Sequence, residues 1–237
     1  MSNKQEQIID MFDDIAKTYD LANRILSMGV DKTWRNKACN LAFSYYDNTH
    51  IEKIVDVACG TGDMMIDWKK IAKENGIVLD NIVGIDPSVG MMDVGKKKIP
   101  DGEFIEAGAE DMPVESESAD MASIAYGIRN VVKRKEGLAE FARILKKDGL
   151  LVILEFTKNE KKRPQDLLTD FYLNKMMPII GGMISKNKDA YTYLPESINE
   201  FITTEQMCEE LESVGLKPIY VKGFSMDIST LFIARKV

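Results

Sequence analysis

Two glycines one residue apart, Gly60 and Gly62, close the apolar run Lys53-Ile54-Val55-Asp56-Val57-Ala58-Cys59. A turn of small residues between a strand and a helix lets the main chain approach a ligand closely. The helix start then offers unpaired N–H groups to a negative group. A dinucleotide fingerprint needs a third glycine, and Met65 occupies that place. A GK[ST] phosphate loop is absent. The looser pattern Ala58-x-Gly60-x-Gly62 suits S-adenosylmethionine, which brings a carboxylate and no pyrophosphate to the turn. Asp86, in Gly84-Ile85-Asp86-Pro87-Ser88, offers two acceptor oxygens to a vicinal ribose diol. An aspartate before a helix is also a common N-cap. With the glycine turn and Asp86 at the ends of successive strands, cofactor binding is the favoured role. Ala107-Gly108-Ala109-Glu110-Asp111-Met112-Pro113 suits a loop along an adenine edge, with main-chain N–H groups and Asp111 against the base.

What the chain lacks narrows the chemistry further. It has one histidine, His50, and three scattered cysteines, Cys39, Cys59 and Cys208, with no CxxC pair. No zinc site, other metal centre or disulfide framework is expected, and a reducing cytoplasm fits. No nucleophile motif accompanies His50, which is expected on a surface loop before the first strand. Thirty-one basic and 38 acidic residues leave a net charge of −7, the wrong sign for a nucleic-acid partner. Apolar residues at 45% and charged residues at 29% describe a globular chain. No apolar run approaches the roughly 18–20 residues of a bilayer span. The polar, acidic residues 1–10 do not read as a secretory signal.

Strands and helices must hold these groups in place. Helical spacing of Ile8, Phe12, Ile15, Ala16 and Tyr19 predicts that the first fifty residues are helical. Residues 53–59 read as a buried strand and 63–75 as a helix. Residues 81–86 form a second strand, with a helix through residue 98. Residues 103–107 and 119–126 are further strands, 132–147 a helix, and 150–156 the most apolar strand. After a helix over 204–214, residues 218–222 and 230–235 predict a terminal antiparallel pair. The alternation predicts a mostly parallel sheet covered on both faces, with its ligand at the carboxyl edge.

Val55–Asp63, Gly84–Met92, Gly108–Pro113 and Arg143–Gly149 resemble the ordered motifs of class I methyltransferases. Three further stretches narrow this: Tyr19-Asp20-x-x-Asn23 with Ser27-x-Gly29 and Trp34; Tyr126-Gly127-Ile128-Arg129-Asn130-Val131; and Tyr191-x-Tyr193-Leu194-x-Glu196-Ser197-Ile198. Together they resemble the UbiE/MenG family of ubiquinone and menaquinone biosynthesis C-methyltransferases. The resemblance implies a Rossmann-like α/β fold with a seven-stranded, mostly parallel sheet and an antiparallel C-terminal strand. It implies cofactor contacts at Thr61, Asp86, Gly108, Ala109 and Ala125, beside the Gly60–Gly62 turn. It also implies C-methylation of a prenylated quinol, demethylmenaquinol above the ubiquinol-pathway benzoquinol, leaving S-adenosylhomocysteine. The alternatives are methylation of another small molecule and a non-catalytic cofactor-binding subunit. Asp31 stands where the family usually has histidine, so that histidine is not essential here.

For that reaction the ring is best attacked as a phenolate, and no histidine base lies in the motifs. Arg129, after the fourth strand, is the candidate for stabilising the phenolate or orienting a water that takes the proton. Asn130 is the candidate for orienting the other ring oxygen. Tyr19, Asn23 and Tyr193 are pocket candidates. A structural ion pair for Arg129 and plain packing for the tyrosines are the plainer roles.

One methyltransferase domain is expected over residues 1–237. It would comprise a helical cap (1–50), a cofactor-binding core (51–157), a helical insertion or lid (158–202) and a terminal helix with two strands (203–237). Residues 158–188 hold seven basic and three acidic side chains among Met, Ile and Leu. That is a net +4 in a chain otherwise at −11. The mixture suits contact with an anionic membrane surface at the cytoplasmic face, guiding a prenyl tail. Cover for the cofactor or a homodimer contact is the alternative role.

Overall fold

The computed structural model describes residues 3–158, 188–225 and 227–237. Seven strands form one sheet: β1 (His50–Val57), β2 (Val78–Asp86), β3 (Glu103–Glu106), β4 (Ala119–Ala125), β5 (Leu145–Glu155), β6 (Leu216–Phe224) and β7 (Ser229–Lys236). Their order is β3-β2-β1-β4-β5-β7-β6, and β7 alone runs against the rest. β5 shows why so apolar a strand belongs here. Leu150, Val152 and Leu154 bury into one face of the sheet, and Leu151 and Ile153 into the other. A strand covered on both sides reads as a continuous apolar run.

The first face is covered by α2 (Val30–Tyr45) and α3 (Asp63–Glu74), whose Phe43 and Trp68 meet edge to face at 5.0 Å. The second is covered by α5 (Arg134–Ile144) and α7 (Thr204–Ser213), through Leu138, Phe141, Met207 and Leu211. α7 starts where it does because Thr203 and Gln206 form a reciprocal capping box. α4 (Val89–Lys98) starts at Ser88, whose hydroxyl accepts from Met91 N–H. α1 (Asn3–Leu26) lies outside this sandwich, packed on α4 and on α6 (Lys188–Glu200).

Several boundaries move from their expected places, two of them for instructive reasons. The helix expected over 132–147 is α5 alone. Leu145 already pairs with Ala119, so 145–149 belong to β5, with a register shift between Ala119 and Met121. Leu145 is apolar and buried in either reading, so helical spacing ran on past the true end. His50 opens β1 instead of preceding it, and its ring nitrogen meets Asp80 at 2.7 Å. The insertion expected over 158–202 ends in helix α6, while residues 159–187 lie outside the described residues.

β1 pairs with β2 on one side and β4 on the other, and the chain winds in opposite directions from there. That switch point opens a crevice at the carboxyl ends of β1, β2 and β4.

Candidate active site

After Val57 the chain turns sharply through Ala58 (φ 50°), Gly60 (φ 54°) and Gly62 (φ 78°) before α3 begins. Gly62 needs its freedom for two reasons. Its φ is left-handed, and a Cβ there would come within 2.9 Å of Ile99 Cδ1. Across the crevice, a Cβ on Gly127 would come within 2.5 Å of Ala58 Cβ, so the turn after β4 closes directly onto the glycine turn.

Asp86, at the end of β2, ties these loops together. Gly60 N–H donates to its Oδ2 and Ser88 N–H to its Oδ1, both at 2.8 Å. Burial pushes the carboxyl up to about 6, against the pull of those two N–H bonds. Each oxygen has a lone pair beyond its N–H partner, so two acceptor positions remain for a neighbouring diol.

A cavity of about 510 Å³ opens beside it, within the roughly 300–1,000 Å³ usual for small-ligand sites. Gly60, Asp86, Gly108, Ala109, Ala125 and Asn130 all line it. Ile8, Ile9, Phe12 and Tyr19 of α1 form an apolar roof. Enclosure raises the Tyr19 phenol above its usual range, partly offset by a hydrogen bond with Asn23 and by the Arg129 charge. The glycine turn, the buried acceptor and the volume of the cavity fit an adenosyl cofactor.

Five expected site residues lie outside this lining: Thr61, Gly62, Asn23, Arg129 and Tyr193. The Thr61 hydroxyl donates to Asp20 Oδ1 at 2.5 Å and accepts from Lys98 Nζ at 3.2 Å. It joins the glycine turn to α1 and α4. The Arg129 guanidinium faces protein groups: Glu155 Oε1 at 2.6 Å, Tyr126 O at 2.8 Å and Ser197 Oγ at 3.3 Å. Tyr193 donates its hydroxyl proton to Asn130 Oδ1 at 3.0 Å.

Sequence reasoning missed three groups around the site. Asp13 accepts from Ser88 Oγ at 2.6 Å and Gly90 N–H at 2.8 Å, clamping α1 to the start of α4. Lys98 joins Asp20 at 2.9 Å and Asp63 at 2.5 Å. Glu155 is the buried partner of Arg129. Asp13 lies on a polar helix face and gave no signal. Glu155 did, as a lone acid ending an otherwise apolar strand.

Asp31, the residue in place of histidine, is buried and accepts from Arg24, Ser27 and Arg35. Burial pushes its carboxyl up, but Ser27 and Arg35 outweigh that and hold it below its usual value. Arg35 also binds Asp63 at 3.0 Å and Asp67 at 2.8 Å. Within β1, Asp56 Oδ1 accepts from Ser123 Oγ at 2.6 Å, while its Oδ2 is buried without a partner among the described residues. Burial lifts this carboxyl to about 7.

A family model described as the ubiE/COQ5 methyltransferase family matches residues 1–236. The ubiquinone/menaquinone biosynthesis C-methyltransferase UbiE of Campylobacter jejuni is 53% identical over 234 residues, covering 99% of each chain. The demethylmenaquinone methyltransferase of Thermotoga maritima is 37% identical over 223 residues, covering 94% of this chain and 93% of its own. Among solved structures, a SAM-dependent methyltransferase from Thermotoga maritima superposes with a TM-score of 0.62 at 16% identity, covering 96% and 99% of the two chains. One from Aquifex aeolicus gives 0.55 at 16% identity, covering 78% and 82%. These two likenesses are of fold.

Proposed function

The chain belongs to the ubiE/COQ5 methyltransferase family, and from that premise we propose that it C-methylates a prenylated quinol, with demethylmenaquinol as the acceptor. The observation that carries the site assignment is the junction at Asp86. There one buried carboxylate holds the glycine turn and the start of α4, and keeps two acceptor positions beside the cavity. S-adenosylmethionine supplies an electrophilic methyl group on a sulfonium.

The chain's own residues do the rest. Asp86 accepts the ribose diol, and the glycine turn and the start of α3 present N–H groups to the carboxylate. Gly108, Ala109 and Ala125 let main chain approach the base and sugar. Ile8, Ile9 and Phe12 exclude water, which strengthens every polar contact beneath them. Tyr19 and Asn130 are among the polar residues lining the cavity, and we place the acceptor ring beside them, beneath the turn after β4. Arg129 supports that side through Asn130 and through its charge.

We read residues 1–237 as one methyltransferase domain with the cap, core and insertion divided as the sequence suggests. The acceptor's tail resides in a bilayer, so we place the enzyme at the cytoplasmic face of a membrane. Among the described residues no helix is long and apolar enough to cross one.

The direct test incubates the purified chain with S-adenosylmethionine and chemically reduced, short-tailed demethylmenaquinol. The expected product is heavier by one methylene, with the methyl on the ring. A product methylated on oxygen, or no product, overturns the assignment.

A further inference from the structure

β5 is apolar from Leu150 to Leu154 and then ends in Glu155, which is fully buried. Its carboxylate grips the short 3-10 turn Ile128–Asn130 in two ways. Arg129 Nη1 donates to Oε1 at 2.6 Å, and the Arg129 main-chain N–H donates to Oε2 at 3.3 Å. Phe156 N–H donates to Oε1 at 2.8 Å. The guanidinium sits 5.5 Å from the Phe156 ring centre and reaches Ser197 on α6 and the Tyr126 carbonyl. One residue is thus fixed at both main chain and side chain, from two strand ends and a helix.

Stability does not account for this arrangement. Taking two charges out of water costs several kcal/mol per ion, and well-packed apolar replacements of buried pairs are often neutral or stabilising. Burial still pushes Glu155 above its ordinary range, with Arg129 pulling the other way. A leucine would have continued the apolar run. What a buried pair adds is a fixed geometry, and the residue fixed next to it is Asn130 in the cavity wall.

Asn130 is held from the other side as well. Tyr193 donates to its Oδ1, which settles the amide's orientation by its hydrogen-bond network. The amide N–H2 makes no hydrogen bond among the described residues. It is the end left for the cavity.

We propose that Glu155 and Tyr193 are positioning residues for the methyl transfer, holding the Arg129–Asn130 turn so that the Asn130 amide N–H2 donates to the acceptor's ring oxygen. A donor there favours the ionised form of a phenol, which is the form that attacks through carbon. This rests on the proposed quinol methyltransferase reading. It assigns the contact with the ring to Asn130 and supporting work to Arg129, Glu155 and Tyr193.

The test uses the full chain with S-adenosylmethionine and short-tailed demethylmenaquinol held reduced. Glu155→Gln and Tyr193→Phe should lower kcat by about tenfold and several-fold respectively, as misplacement of a catalytic donor does. Cofactor Kd and KM should stay within about twofold, because the Asp86 side is untouched. In an Asn130→Ala background, Tyr193→Phe should cost nothing further, since the group it positions is gone. Tyr193→Phe removes one hydroxyl and keeps the inference testable if Glu155→Gln does not fold. Unchanged kcat in Tyr193→Phe overturns the inference. So does an equal loss with and without Asn130, or a parallel loss of cofactor affinity. Absence of methyl transfer by the parent chain would instead overturn the functional reading.

Discussion

Protonation of Asp86 should weaken cofactor binding on the acid side of neutrality. The carboxyl is pushed up to about 6 by burial, and its two remaining acceptor positions are what a ribose diol would use. A proton on either oxygen replaces an acceptor with a donor. With a value of about 6, some nine-tenths of the free protein is ionised at pH 7 and about one-tenth at pH 5. The apparent Kd should therefore rise about tenfold from pH 7 to pH 5, or about 1.4 kcal/mol. Calorimetry with S-adenosylhomocysteine reads this directly, since the ligand's own ionisation does not change across that window. Asp86→Asn should bind more weakly at pH 7, because an amide N–H2 would face the N–H of Gly60 or Ser88. It should also lose the pH dependence. The free protein responds in the opposite sense. A raised folded-state value means that ionising Asp86 costs stability in full above about pH 6. That cost fades as pH falls toward the ordinary aspartate value of 3.8. The thermal shift given by cofactor should thus shrink at pH 5. A flat Kd in the parent, or the same slope in Asp86→Asn, refutes the diol assignment.

Other perturbations have equally definite outcomes. Asp56→Asn keeps an acceptor for Ser123 and removes a carboxyl lifted to about 7, so in denaturant titration its stability relative to the parent should be greatest at pH 8 and fall toward pH 4. Arg35→Met leaves Asp31, Asp63 and Asp67 without their shared cation and should destabilise the fold by about 3–5 kcal/mol in denaturant titration. Asp20→Asn loosens the bond from α1 to Thr61 and Lys98, so the cofactor should dissociate faster in stopped-flow while the melting point moves little. Neutralising Lys161, Lys162 and Arg163 should reduce co-sedimentation with anionic liposomes at low salt, and unchanged sedimentation would remove the membrane role from this stretch.

The sequence announced the parts of the site that are made of main chain. Gly60 lines the cavity and is legible because a tight turn of main chain at a strand end needs that residue type, and Asp86, the acid ending the next strand, lines it too. The sheet is legible for a similar reason: two-sided burial writes itself as unbroken apolar runs, as in 150–154. Side-chain partnerships across long separations left no such mark. Thr61 sits in the glycine motif but bonds to α1, and nothing local distinguishes a hydroxyl that meets a ligand from one that meets Asp20. Arg129 was visible as a cation at the sheet edge. Its commitment to Glu155 depends on how the ends of β4 and β5 align. Helical spacing identified α1 as amphipathic, yet could not say that its apolar face would roof a cavity.

The roof formed by α1 has a consequence for how the protein comes into being. During synthesis α1 emerges ahead of every group that holds it. Asp20 waits 41 residues for Thr61 and 78 for Lys98, Asp13 waits 75 for Ser88, and Gln5 accepts from the main chain of Val132, 127 residues on. Contacts of such separation form slowly. The nascent helix therefore spends that interval without these partners. Thr61, Ser88 and Lys98 are nonetheless made before β5, β6 and β7, so α1 gains these partners before the last strands of the sheet exist. A bulky fusion joined ahead of α1 should therefore hinder the closing of the cavity's α1 side, which a comparison of cofactor affinity with and without the fusion would read.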